Sequence, residues 1–263
     1  MPIPRLIPAL LLLALAACGA RAPDTPSRAT AGPVTAPNFS DADPHIWDGR
    51  SPASYPVHGI DISRWQADVE WPTARANGVN FAFIKATEGG DILDPAFKTN
   101  WAGAAGAGVP RGAYHFYYWC RPADEQARWF IKHVPRSPGA LPPVLDVEWT
   151  PFSPTCTRRP PAAEVRAEAE RFMAILERHY GQRPLIYTSI DFFEDNEMWR
   201  LSGHEFWLRS VAGHPKDVYD GHHWTFWQYT GSGLVPGIKG RTDINVFAGT
   251  ATAWADWLAR RAP

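Results

Sequence analysis

From Val57 onward the chain alternates short apolar runs with amphipathic stretches, and this pattern limits the fold more than any other feature of its 263 residues. The runs read as strands at 57–63, 81–87, 112–119, 143–149 and 184–189, then at 205–211, 224–230 and 243–247. Helices are expected at 67–77, at 95–107 with Gly108 as a stop, at 124–133, and at 163–180 closed by Gly181. Past the fifth strand only a short helix near 192–199 is expected, and the last links read as loops. Strands alternating with helices imply a parallel sheet, and eight strands imply closure. The expected class is therefore α/β: a modified TIM-like (β/α) barrel of eight strands with an incomplete helical ring. A doubly wound open sheet is the alternative, but no Gly-rich phosphate loop opens any helix.

The N-terminal part stands outside this pattern. Arg5 supplies a positive start, and Ile7 to Ala17 is an apolar stretch too short to span a membrane comfortably. It closes with L-A-A-C (15–18), which resembles a bacterial lipobox. That resemblance implies cleavage before Cys18, a lipid on Cys18 and, with Gly19 next, an outer-membrane anchor facing the periplasm. An ordinary signal peptide with an incidental cysteine is the alternative. Residues 19–56 are rich in Pro, Ala, Thr, Ser and Asp, a composition that buries too little apolar surface to offset its ordering entropy. The domain reading is thus 1–17 signal, 18–56 lipidated cysteine and tether, and 57–263 barrel domain.

A formal net charge of −1 gives no electrostatic grip on nucleic acid, and a monomer is expected. With Cys18 carrying lipid, Cys120 and Cys156 remain as an even pair in an oxidising compartment, where a disulfide is expected over two free structural thiols. Thirteen Trp supply flat faces for core packing or for a sugar cleft.

Chemistry concentrates in V-L-D-V-E-W (144–149). Asp146 and Glu148 stand at i and i+2, so a strand points both to one face, and the apolar residues around them argue for burial. Two close carboxylates in a dry site cannot both ionise cheaply, so one pKa rises and its owner becomes a proton donor. This division of labour suits glycoside hydrolysis. Two strand steps span roughly 6.7 Å between Cα atoms. Carboxyl separations are about 5–5.5 Å in retaining and about 6.5–9.5 Å in inverting enzymes. Spacing alone therefore leaves the stereochemistry undecided. Other polar residues gather at the C-terminal strand ends, where barrel enzymes keep their sites: Asp61, Glu88, Tyr187 and Gln228, with Asp243 opening the last strand. A Ser-based hydrolase would need a G-x-S-x-G elbow, which is missing. The histidines lack ligand spacing, and His222 and His223 are adjacent on a strand and so face opposite ways, so neither metal nor cofactor is expected.

These blocks resemble the glycoside hydrolase family 25 lysozymes, also called Chalaropsis-type muramidases. The resemblance runs through H-G-I-D-I-S-R-W-Q (58–66), F-I-K-A-T-E-G (83–89), G-A-Y-H-F (112–116), L-D-V-E (145–148), L-I-Y-T-S (185–189), W-Q-Y-T-G (227–231) and G-R-T-D-I-N-V-F (240–247). It implies a peptidoglycan hydrolase that cuts the β-1,4 bond after N-acetylmuramic acid. Glu148 then matches the acid/base and Asp146 the group supporting reaction at the anomeric carbon, while Asp61 and Asp243 line the cleft. Tyr114, Tyr187, Gln228 and Trp207 fall in blocks that shape sugar subsites. Lys85 and Glu88 either contact substrate or hold one another across the rim. The sugar's own N-acetyl group is expected to attack while Asp146 orients it; direct attack by Asp146 and an inverting water remain open. One departure stands out: the family pattern W-I-A is here W-L-R-S-V-A (207–212), so Arg209 puts a charge at the rim, able to alter a subsite or bind a peptide-stem carboxylate. The competing readings are a glycan-binding module without activity and a hydrolase of another glycan such as chitin.

Overall fold

The computed structural model describes Met1 and residues 32–261, so the signal segment and Cys18 lie outside the described residues. Ten strands form one sheet: β1 Ser40–Asp41, β2 His58–Ile62, β3 Ala82–Glu88, β4 Ile92–Leu93, β5 Arg111–Phe116, β6 Val144–Val147, β7 Leu185–Thr188, β8 Phe206–Arg209, β9 Phe226–Leu234 and β10 Thr242–Phe247. The order β9-β10-β2-β3-β5-β6-β7-β8, with β8 pairing back onto β9, closes eight of them into a barrel, and β1 and β4 are appendages. Helices α1 Trp71–Ala76, α2 Phe97–Gly106, α3 Ala123–His133, α4 Ala162–Tyr180, α5 Ile190–Asp195, α6 Pro215–Val218 and α7 Ala251–Ala259 complete the fold.

The barrel closes in an unexpected way. Barrel strands β2, β3, β5, β6, β7, β8 and β9 pair in parallel, but β10 is antiparallel to both β9 and β2. A short connection from β9 leaves no room for a crossover helix, and only a reversed strand can follow so short a link. The helical ring is correspondingly thin late in the chain, where α6 has four residues.

Side chains alternate along each strand and build two cores. Outward positions such as Ile60, Ile84, Leu145 and Ile186 pack beneath the helices. On α4 the stripe Val165, Ala169, Phe172, Met173 and Leu176 covers them, and Gly181, at φ 70°, ends that helix in the left-handed region. Inward positions Phe81, Phe83, Val144, Leu185, Trp207, Phe226 and Phe247 fill the lower barrel. Its floor is sealed by α7, whose Trp254 and Trp257 stack 5.4 Å apart with 12° between their planes. Thr250 caps that helix by accepting from the Ala253 N–H at 3.1 Å. The helix expected at 67–77 shortens to α1, because Ala67 takes a positive φ of 51° and Pro72 sits in the first turn.

Of the segment expected to be a tether, residues 32–56 are described. They are laid against the barrel as a strap. Thr35 N–H donates to Asn80 Oδ1 at 2.8 Å, and Arg75 Nη2 donates to the Pro33 carbonyl at 2.7 Å. Strand β1 pairs antiparallel with Gly233 and Leu234, and Trp47 meets Trp227 edge-on at 5.1 Å. The strap lacks a core of its own but finds backbone partners on β9, which overshoots the barrel rim.

Because α7 is the floor of the barrel, Trp254→Ala is expected to cost about 3–5 kcal/mol, as for large aromatic truncations in cores. Equilibrium unfolding in urea, read by far-ultraviolet circular dichroism, checks this.

Candidate active site

The upper inward positions of the barrel are polar, in contrast to its floor. Asp61 is next to last on β2, Lys85 lies midway along β3 and Glu88 ends it, Asp146 lies on β6 with Glu148 just beyond it, and Arg209 ends β8. Gln228 on β9 stands in register with Arg209, and Asp243 on β10 with Asp61. Antiparallel β10 accounts for the last pairing: a residue that opens this strand reaches the rim where the parallel strands end.

Hydrogen bonds join these groups into one frame. Tyr187 OH donates to Gln228 Oε1 at 2.9 Å, and Gln228 Nε2 donates to Asp61 Oδ2 at 2.9 Å. The same oxygen accepts from Asn245 Nδ2 at 2.8 Å, and Asn245 Oδ1 accepts from Trp207 Nε1 at 2.7 Å. Asn245 was not among the residues expected from sequence, although D-I-N (243–245) puts it on the same strand face as Asp243. Trp207, expected at a sugar subsite, is only 2% exposed. It stacks on Phe83 and meets Tyr187 in a T-shaped contact, and buried in this way it presents no face to a sugar and acts by holding Asn245. Tyr114 is partly exposed beside it, their rings 6.4 Å apart.

Burial governs the charges. Asp61 and Asp146 are 7% and 5% exposed, and Asp146 Oδ1 is buried without a hydrogen-bond partner in the structure. Burial, then the nearby Asp243, pushes Asp61 well above the ordinary carboxylate range, against the two amide donors. Burial and Glu148 do the same to Asp146. Glu148 is more open but is still raised by burial, with Arg209 pulling it down. Burial raises Asp243 to about 6, again against Arg209. The four acids thus retain protons that free carboxylates would have lost.

Lys85 and Glu88 hold one another at 2.6 Å, and Lys85 Nζ also sits 4.7 Å over the Phe116 ring. Burial acts to raise Glu88, but Lys85 and the Tyr118 hydroxyl outweigh it and keep this acid below its ordinary value. Glu88 is therefore an anionic brace for Lys85. Beyond the strand ends, Cys120 and Cys156 are bonded, with Cα atoms 5.7 Å apart, tying the exit of β5 to the loop that follows Glu148. Trp119 Nε1 donates to the Glu148 carbonyl at 3.3 Å. Most Trp side chains serve the core, but Trp65, just past β2, is 77% exposed at the mouth.

A closed barrel with raised carboxylates at the C-terminal ends of its parallel strands is the arrangement of a glycoside hydrolase. The model of the family "Glycosyl hydrolases family 25" matches residues 60–238, and the chain belongs to that family. It is similar to the Escherichia coli K12 protein YegX, 39% identical over 206 residues, covering 76% of this chain and 73% of YegX. It is also similar to Lysozyme M1 of Streptomyces globisporus, 34% identical over 206 residues, covering 74% of this chain and 69% of that enzyme. Among solved structures, a family 25 glycosyl hydrolase from Bacillus anthracis superposes with a TM-score of 0.73 at 31% identity, covering 82% of this chain and 98% of that one.

Two outcomes follow from the electrostatics. Folding favours the neutral form of Asp243, whose pKa rises from 3.8 to about 6. The wild type therefore has its full stability from this group below about pH 4 and loses it as pH rises through about 6. Asp243→Asn, permanently neutral, is expected to be more stable by about 1–3 kcal/mol above pH 7 and no different near pH 3.5. Thermal unfolding across that range checks the sign. Arg209→Gln removes a cation that lowers Glu148, so the alkaline limb of the pH–rate profile is expected to move up by about half a unit to one unit.

Proposed function

We infer that this chain is a lysozyme that hydrolyses the β-1,4 bond between N-acetylmuramic acid and N-acetylglucosamine in peptidoglycan. The observation that carries this reading is the Asp146–Glu148 pair at the end of one strand of a family 25 barrel, Asp146 buried and Glu148 partly so, both raised above ordinary carboxylates. The likeness to Lysozyme M1 supports the substrate class.

In the proposed mechanism the pair keeps one proton, and the chemistry asks that it sit on Glu148, the more open of the two. Glu148 delivers it to the glycosidic oxygen as the C1–O bond breaks. The carbonyl oxygen of the sugar's own N-acetyl group attacks C1 from the opposite face, the substrate-assisted exception to two-carboxylate retention. Asp146, whose Oδ1 has no partner in the structure, accepts the hydrogen bond of the N-acetyl N–H and offsets the positive charge that develops there. Glu148, now a carboxylate, takes a proton from the water that opens the cyclic intermediate. Both displacements occur at C1, so the configuration is retained. Asp61, gripped by Gln228 and Asn245, and Asp243 beside it form the wall facing the pair.

We also propose that the chain is exported and acylated at Cys18, which would hold the enzyme against its polymeric substrate and raise its local concentration there. The L-A-A-C block at 15–18 supports this reading. Metabolic labelling with a radioactive fatty acid is expected to mark the wild type and leave Cys18→Ala unmarked.

Glu148→Gln is expected to lower release of reducing ends from purified sacculi by at least about 100-fold, the scale of lost general acid catalysis, with an unchanged circular dichroism spectrum. Near-normal turnover in that variant would remove Glu148 from the mechanism. Proton NMR of the first-formed product is expected to show the β anomer; the α anomer would refute retention.

A further inference from the structure

A groove of about 1060 Å³ runs between the strap and the outer side of β9. Its lining includes Asp41, Asp43 and Trp47 from the strap and Arg209, Gly231 and Arg241 from the barrel. Its inner end meets the catalytic mouth. Arg209 faces inward from the end of β8, and Gly231 lies so close to Asp243 that a Cβ there would sit 3.1 Å from Oδ1.

Arg209 is the unusual element. It is partly buried, its carbonyl is held by the Tyr219 hydroxyl at 2.6 Å, and it stands in register with Gln228. Among the described residues its guanidinium makes no ion pair within 4.0 Å. A half-buried guanidinium with a fork of open donors is suited to a carboxylate from outside the chain. The strap supplies the opposite charge. Asp41 is committed to Ser232 Oγ at 2.6 Å, but Asp43 is exposed beside it. The groove therefore offers cations and an anion along one path leading away from the acids.

We propose that this groove seats the peptide branch of the glycan and that Arg209 takes one of its carboxylates. The proposal rests on the lysozyme reading. In intact peptidoglycan the muramic sugar carries its peptide on the lactyl ether at C3, on the same ring as the C1 whose bond is cut, and that peptide bears free carboxylates and, where uncrosslinked, a free ammonium. Such a zwitterionic chain matches Arg209 and Arg241 with its carboxylates and Asp43 with its ammonium. A bare glycan leaves these groups unused. Arg209 is thus a specificity-determining residue, and the strap is one wall of the binding site.

The test compares two substrates: glycan strands with their peptides, and the same strands stripped by an amidase. Initial rates of reducing-end release are measured at one pH for the wild type, Arg209→Gln and Arg209→Lys. The wild type is expected to prefer peptide-bearing strands. In Arg209→Gln that preference falls about tenfold or more, the size of a lost charge-assisted hydrogen bond, chiefly through KM. Arg209→Lys, with a charge but no fork, recovers part of it. Equal losses on both substrates would mean that Arg209 acts only through the acids, and would overturn the proposal. So would a wild type that cuts both substrates equally well. A wild type that cuts neither would bring down the lysozyme reading and the groove proposal with it.

Discussion

Four carboxylates share a barrel mouth that gives them little water, and the rest of the structure is arranged around that electrostatic cost. Asp61 is held by two amide donors, Gln228 and Asn245, each fixed in turn by an aromatic donor, Tyr187 and Trp207. Lys85 and Arg209 supply positive charge at the rim without quenching the acids by direct pairing: Lys85 is tied to Glu88, and Arg209 stands beyond ion-pair distance. Burial still dominates, so all four acids remain raised. A site held in this state destabilises the fold, and the stacked aromatic floor of Phe81, Phe226, Trp254 and Trp257 is where compensating apolar burial is concentrated.

The direction of one strand assembles this mouth. Were β10 parallel, Asp243 would open it at the floor, among the tryptophans, and Asn245 could not reach Asp61. Reversal brings both to the rim, and the connection from β9 is short enough to require it. The same hairpin has a second effect. Because β9 runs past the barrel, it exposes ladder positions that β1 occupies, and the strap closes a groove beside the acids. Catalytic mouth and groove therefore share one structural origin.

Much of this was legible in the residues. The eight runs fall within about three residues of the barrel strands except where β9 overshoots, and Glu148, one residue beyond β6, lies near enough to Asp146 to raise it. The missed features were those without a local signal or with a misleading one. The strap has a disordered composition and is ordered by groups far along the chain, among them Arg75, Asn77, Asn80, His214 and β9. Trp207 carries the sequence signature of a sugar platform, yet it is buried against Phe83 and Tyr187. Helix α7 carried a Thr cap and two Trp three residues apart, a signal that was there to be read.

By itself the sequence determined the alternation of inward and outward side chains, the apolar floor and polar rim that follow from it, and the identity of the acids. Periodicity is set by residues adjacent along the chain, so it survives without knowledge of the fold. Tertiary structure alone decided which acids meet, how far each is desolvated and which donors hold them. Asp61 and Asn245 lie 184 residues apart, and their hydrogen bond exists because the last strand returns antiparallel to close the barrel. Desolvation and Coulomb interaction depend on distance in space, and only the closed barrel sets those distances.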